Sequence, residues 1–194
     1  MKIDRLVVAS KNPDKVQEIE EVLAETGLRV ELVDGLSWPD IEETGATLEE
    51  NALIKARGVF HSTGVASLAD DTGLFVNALG GRPGVNTARF AGPEATYADN
   101  VARLLEELKG IEDRTASFRS VVALVSGTEE LVAEGALGGF IAPAPRGSSG
   151  FGYDPVFELP GGRTLAELSA ETKNMLSHRA IALRALFRLL GAPR

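Results

Sequence analysis

Residues 5–32 spell out a strand, a polar loop, a helix and a second strand, in that order. RLVVA (5–9) is short, β-branched and apolar, and SKNPD interrupts it, so it reads as a buried strand running into a loop. Over 14–25 the apolar residues Val16, Ile19, Val22 and Leu23 recur at helical spacing, and Gly27 supplies the stop. A second strand is expected over 29–32. This alternation places the chain in the α/β class, in which helices cover a largely parallel sheet.

The remainder continues in kind. Thr47 and Glu50 have the spacing of a capping box, which predicts a helix from there to about residue 60, closed by HSTG. Apolar pieces at 65–69 and 74–79 read as strands on either side of a turn, ADDTG. GGRPGVNTARFAGPEAT (80–96) lacks periodicity and reads as a long ordered loop, a kind that is more often functional than idle. A helix over 100–108, a strand in ASFRSVVALVSG, a hairpin partner in ELVAEGALGGFI and an amphipathic C-terminal helix complete the pattern. With no repeat and no flexible linker, residues 1–194 are expected to form one domain of two lobes.

Composition narrows the function. The chain has 194 residues, 44% hydrophobic and 25% charged, which is the balance of a folded protein rather than a disordered one. A net charge of -8 argues against a broad basic face for nucleic acid. With no cysteine, disulfides, thiolate catalysis and Cys-based zinc sites are excluded. No apolar run approaches the roughly 20 residues of a membrane helix, and the N-terminus is too short in apolar residues for a signal peptide. A cytoplasmic protein with no membrane partner is expected.

Four stretches carry chemistry. SKNPDK (10–15) joins the first strand to the first helix, where α/β sheets bind ligands and a helix N-terminus favours an anion. Ser10 and Asn12 can donate to a phosphate and Lys15 adds charge. The pattern is not a Walker A loop, and a plain capped turn is the competing reading. In EETG (42–45) the carboxylates complement a helix dipole, and Lys55 on that helix becomes a second phosphate charge if it points inward. In ADDTGL, Asp70 and Asp71 offer hard oxygen donors to Mg²⁺. Adjacent residues of an extended chain face opposite ways, so one carboxylate would ligate metal or activate water while the other supports the turn. Finally, Phe151 and Tyr153 of SGFGYDPVF offer an aromatic face to a base. Ser177, His178 and Arg179 of TKNMLSHRA add donors, Arg179 as a planar fork for a carbonyl. Together the four suit a nucleoside phosphate with Mg²⁺. A Ser–His–Asp hydrolase is disfavoured because no G-x-S-x-G elbow is present.

SKNPDK, EETG, ADDTGL, GFGYDPVF and SHRA, in this order, resemble the inosine/xanthosine triphosphate pyrophosphatases, the Ham1-like family, over essentially the whole chain. The resemblance implies a long mixed β-sheet flanked by helices, two lobes around a central substrate cleft, and a homodimer. It implies Mg²⁺-dependent hydrolysis of ITP, dITP and XTP to the monophosphate and pyrophosphate, clearing them from the nucleotide pool. Carried onto this chain, Ser10, Asn12, Lys15 and Lys55 would contact the triphosphate and Thr72 the substrate. Asp71 would be the general base, and Glu42 with Asp71 would hold the metal, the choice between Glu42 and Glu43 staying open. Phe151 would stack on the base, Gly152, Tyr153 and Asp154 would complete that loop, and Lys173, His178 and Arg179 would read the base edge. Asp70 would play a supporting part. Ser10 stands where many relatives have Thr, which keeps the hydroxyl. The alternatives are a pyrophosphatase for modified pyrimidine triphosphates and a nucleotide-binding module without catalysis.

Overall fold

A computed structural model describes residues 3–191. The strands are β1 (Arg5–Val8), β2 (Glu31–Leu32), β3 (Ala66–Val76), β4 (Pro83–Gly84), β5 (Thr115–Ser126), β6 (Glu129–Ile141) and β7 (Phe157–Glu158). The helices are α1 (Pro13–Glu25), α2 (Leu48–Thr63), α3 (Tyr97–Glu107), α4 (Ala170–Leu176) and α5 (His178–Leu189). The sheet is mixed, in the order β2-β1-β3-β5-β6-β7 with β4 beside β3. β1 runs parallel to β2 and β3, whereas β4 and β7 pair antiparallel with β3 and β6.

By contact the described residues divide into two compact units. One comprises 3–71, 120–135 and 178–191, and the other 72–119 and 136–177. The first buries Leu6, Ile19, Leu68, Leu124, Leu183 and Phe187 in a core of β1, α1, β3, β5 and α5. The second buries Leu74, Leu104, Phe118, Tyr153, Phe157 and Leu165. No helix among the described residues is long and apolar enough to cross a membrane.

Local capping explains the helix ends. Asn12 caps α1 by accepting from the Asp14 and Lys15 amides. The capping box of Thr47 and Glu50 starts α2, which runs three residues past the expected end and stops where Gly64 adopts a left-handed conformation, φ 68°. Thr96 and Asp99 form a second capping box, which starts α3 earlier than periodicity suggested.

The expected turn at ADDTG is overturned. ADDTG is not a turn, because β3 runs through it without interruption as eleven residues. Asp, Thr and Gly favour turns in isolation, but here β3 lies between β1 and β5 and its backbone groups are used by the sheet. Gly73 serves close approach instead of reversal: a Cβ there would lie 2.7 Å from the Gly84 carbonyl oxygen of β4. The strand also ends earlier than expected, since 77–79 form a turn of 3₁₀-helix.

Candidate active site

In the first unit, an uninterrupted β3 sends Asp70 and Asp71 to different partners. The Asp70 carboxylate, 2% exposed, accepts from Lys15 Nζ at 3.1 Å and from Arg179 Nε at 3.0 Å. Arg179 also donates through Nη1 to Glu18, so Lys15 and Glu18 of α1, both partly exposed, join the buried Asp70 of β3 and Arg179 of α5 in a network of two cations and two carboxylates. α5 reaches this place because β6 lacks a side chain at Gly135, where a Cβ would lie 2.3 Å from the His178 carbonyl oxygen. Burial acts to raise the Asp70 carboxyl, but Lys15, then Arg179 and Lys55, hold it well below the usual carboxylate range. Burial draws the Lys15 ammonium below its usual value despite Asp70, helped by the neighbouring charges of Lys55 and Arg179.

Asp71 faces the other set. Its Oδ1 accepts from Lys55 Nζ at 3.0 Å and its Oδ2 from Asn51 Nδ2 at 3.3 Å. Lys55 Nζ is also 3.1 Å from Glu43 Oε1. Burial pushes the Asp71 carboxyl above its ordinary value; Lys55 and Lys15 pull against this and Glu43 adds to it. Burial pulls Lys55 down, but Asp71, Asp70 and Glu43 outweigh it and raise its pKa. A carboxylate with a raised pKa, near a cation, is a suitable proton acceptor.

The same donors bear on a metal. No group of three or more metal-ligating side chains occurs among the described residues. Two carboxylates, Asp71 and Glu43, nevertheless converge on one ammonium. Mg²⁺ is usually held by one or two carboxylates plus substrate phosphates rather than by an all-protein cage, so this hard-oxygen pair fits it. Glu42 is exposed, and it is its neighbour that meets Lys55.

The second unit carries the aromatic candidates and, of the three base-edge candidates, Lys173, whereas His178 and Arg179 belong to the first. Asp154 Oδ2 accepts from Lys173 Nζ at 2.5 Å and from the Phe151 amide at 2.9 Å, both carboxylate and ammonium being buried. The Lys173 ammonium sits 4.7 Å from the Phe151 ring centroid, and the Tyr97 ring lies 5.9 Å from that of Phe151. Gly150, at φ 72°, lets the loop wrap Asp154, whose Oδ2 would be 2.1 Å from any Cβ there. Phe151 is half-buried, whereas Tyr153 is 3% exposed and donates to the Thr87 carbonyl at 3.0 Å. Tyr153 is therefore a core residue pinning the loop, not part of an open aromatic face, and burial raises its phenol far above the usual value.

The first unit thus brings together Lys15 with Arg179, and Lys55 with Asp71. Ser10 Oγ accepts from the Asn12 amide at 3.2 Å, and Asn12 Oδ1 is spent on capping α1. His178, the first residue of α5, is buried. In the second unit Thr72 is half-buried on β3, and Gly152, at φ 63°, has open space around it. Three contributors escaped the reading of the residues: Glu18, Asn51 and the pairing of Asp70. The signal was helical spacing, since Glu18 follows Lys15 by three positions and Lys55 follows Asn51 by four, each pair on one face.

The description "Ham1 family" belongs to the family model that matches residues 6–189. The dITP/XTP pyrophosphatase of Geobacillus kaustophilus is 48% identical over 186 residues, 93% of this chain and 91% of that protein. That of Bacillus subtilis is 45% identical over 191 residues, 96% of each. Among solved structures, a HAM1 protein from Coxiella burnetii superposes with a TM-score of 0.88 at 44% identity, covering 96% of this chain and 98% of the other. A nucleoside-triphosphatase / dITP/XTP pyrophosphatase from Mycobacterium abscessus does so with a TM-score of 0.74 at 48% identity, covering 96% and 99%.

Proposed function

The chain belongs to the Ham1 family, and from that premise we propose that it hydrolyses the purine nucleoside triphosphates ITP, dITP and XTP to the monophosphate and pyrophosphate. The observation that carries this is the double use of β3: Asp71 is buried against Lys55 while Asp70 holds Lys15 and Arg179.

Asp71 takes the proton of the attacking water, its raised pKa making it the better acceptor. Mg²⁺, held by Asp71 with Glu42 or Glu43, would supply a Lewis acid for the phosphate oxygens. Lys15 and Lys55 neutralise the charge that develops on the departing pyrophosphate, and Ser10 and Asn12 hold it through hydroxyl and amide donors. Because Asp70 and Asp71 fix both ammonium groups before substrate arrives, little reorganisation is left for the transition state. Thr72 contacts the substrate. The base stacks on Phe151 in the loop of Gly152, Tyr153 and Asp154, and Lys173, His178 and Arg179 read its edge. A 6-oxo group accepts a hydrogen bond where adenine carries an amino group, so adenine would leave a buried donor unpaired.

The same reading makes the protein a cytoplasmic homodimer with Mg²⁺ as cofactor. The deciding experiment measures pyrophosphate release from ITP, XTP, dITP, ATP, GTP, dUTP and modified pyrimidine triphosphates, with and without Mg²⁺. Release from the first three, with ATP, dUTP and the modified pyrimidine triphosphates spared, and only with Mg²⁺, is expected. Preference for pyrimidines, or ITP binding without pyrophosphate release, would overturn the reading.

A further inference from the structure

The coil between β2 and α2 is laid along one face of α2 in a regular register. Ile41 meets Gly58, Glu43 meets Lys55, and the Gly45 amide donates to Asn51 Oδ1 at 2.8 Å. Every second residue of the coil thus docks one helical turn further along the helix. Glycine occurs at both ends of the register. A Cβ on Gly45 would lie 2.6 Å from Glu50 Cβ, and a Cβ on Gly58 would lie 2.6 Å from Ile41 Cδ1 and 3.1 Å from its Cγ1. Gly58 is costly in the interior of a helix, where alanine is favoured, so its presence asks for a reason.

The first half of the coil, with Leu36 and Trp38, borders a pocket of about 160 Å³ also lined by Val8, Ser10 and Val16. Lys11 reaches across to Asp40, but both side chains are exposed, and such a pair contributes little.

We propose that Gly58 is a socket for Ile41, and that this contact is a positioning element which sets Glu43 against Lys55 and hence against Asp71. The inference rests on the proposed hydrolysis, because it assigns a task to the carboxylates of that site. Ile41 and Glu43 are two residues apart on the coil, so pushing Ile41 off the helix displaces the carboxylate beside it.

Gly58→Ala tests this, because alanine by itself should strengthen α2. With ITP and Mg²⁺, kcat/KM is expected to fall about tenfold, the scale on which sub-ångström misplacement acts, while Tm stays level or rises. Adding Ile41→Val removes the Cδ1 methyl that the new Cβ meets. The double variant should then return to within about twofold of wild type, the rescue expected of neighbours that share a contact. Should the added methyl prevent folding, Ile41→Ala empties the socket from the other side and should lower kcat/KM likewise. Wild-type kcat/KM in Gly58→Ala, or a loss that Ile41→Val leaves unrepaired, would overturn the positioning role. Failure of the wild-type protein itself to release pyrophosphate would instead strike the hydrolase reading beneath it.

Discussion

Asp70 and Asp71 are consecutive residues of one strand, yet Asp70 binds Lys15 and Arg179 while Asp71 binds Lys55. The alternation of an extended chain accomplishes the separation, with no turn required. Two like charges one residue apart thereby acquire separate counter-ions and opposite shifts, Asp70 downward and Asp71 upward.

Asp71→Asn should fold, since the amide oxygen can still accept from Lys55, and should lower ITP turnover by at least about 10²-fold, the usual contribution of a positioned base. Steady-state pyrophosphate release measures this. Turnover near wild type would remove Asp71 from the chemistry.

Asp70→Asn leaves Lys15 and Arg179 with Glu18 as their remaining carboxylate in the network and should destabilise the protein by about 3–5 kcal/mol, the cost of breaking a buried pair. The sign with pH follows from the lowered carboxyl. The unfolded chain takes up this proton near the ordinary value of 3.8, and the folded one only at lower pH. The stabilisation is therefore complete above about pH 5 and is lost on acidification below about pH 4. Thermal melts across this range should fall more steeply for wild type than for Asp70→Asn, and parallel curves would refute the assignment.

Tyr153→Phe and Phe151→Ala should separate anchoring from recognition. Losing the Tyr153 hydroxyl bond to Thr87 should cost about 1 kcal/mol of stability and leave KM for ITP almost unchanged. Phe151→Ala should raise KM by about tenfold, a stacking contribution of about 1–3 kcal/mol, with a smaller change in Tm. The reverse pattern would return Tyr153 to the base platform.

Gly135→Ala forces a methyl to 2.3 Å from the His178 carbonyl and 2.5 Å from the Ala182 amide, both backbone atoms that cannot swing aside. A loss of about 1–3 kcal/mol is expected from the overpacking. The ratio of kcat/KM for ITP over ATP should drop with it, because α5 carries His178 and Arg179. An unchanged ratio in a destabilised protein would separate α5 docking from base reading.

The ends of α2 were legible because capping is local chemistry: Thr47 with Glu50 and Gly64 announce them within a few residues. The ADDTG strand was not, because its residues prefer turns and only pairing with neighbouring strands outweighs that preference. Tyr153 was misread for a related reason. An aromatic in a glycine-rich loop looks exposed until the loop folds back and its hydroxyl finds Thr87, 66 positions away.

Amino-acid order alone therefore determined the α/β class, the caps of α2, the absence of thiol chemistry and a set of motifs that point to a nucleoside triphosphate. Tertiary structure alone decided which charges meet. Arg179 reaches Asp70 across 109 positions, and Glu43 rather than Glu42 reaches Lys55. Ion pairing depends on where helices and strands pack, and the packing of α5 on Gly135 and of Ile41 on Gly58 turns on ångström-scale clearances that spacing along a chain does not encode.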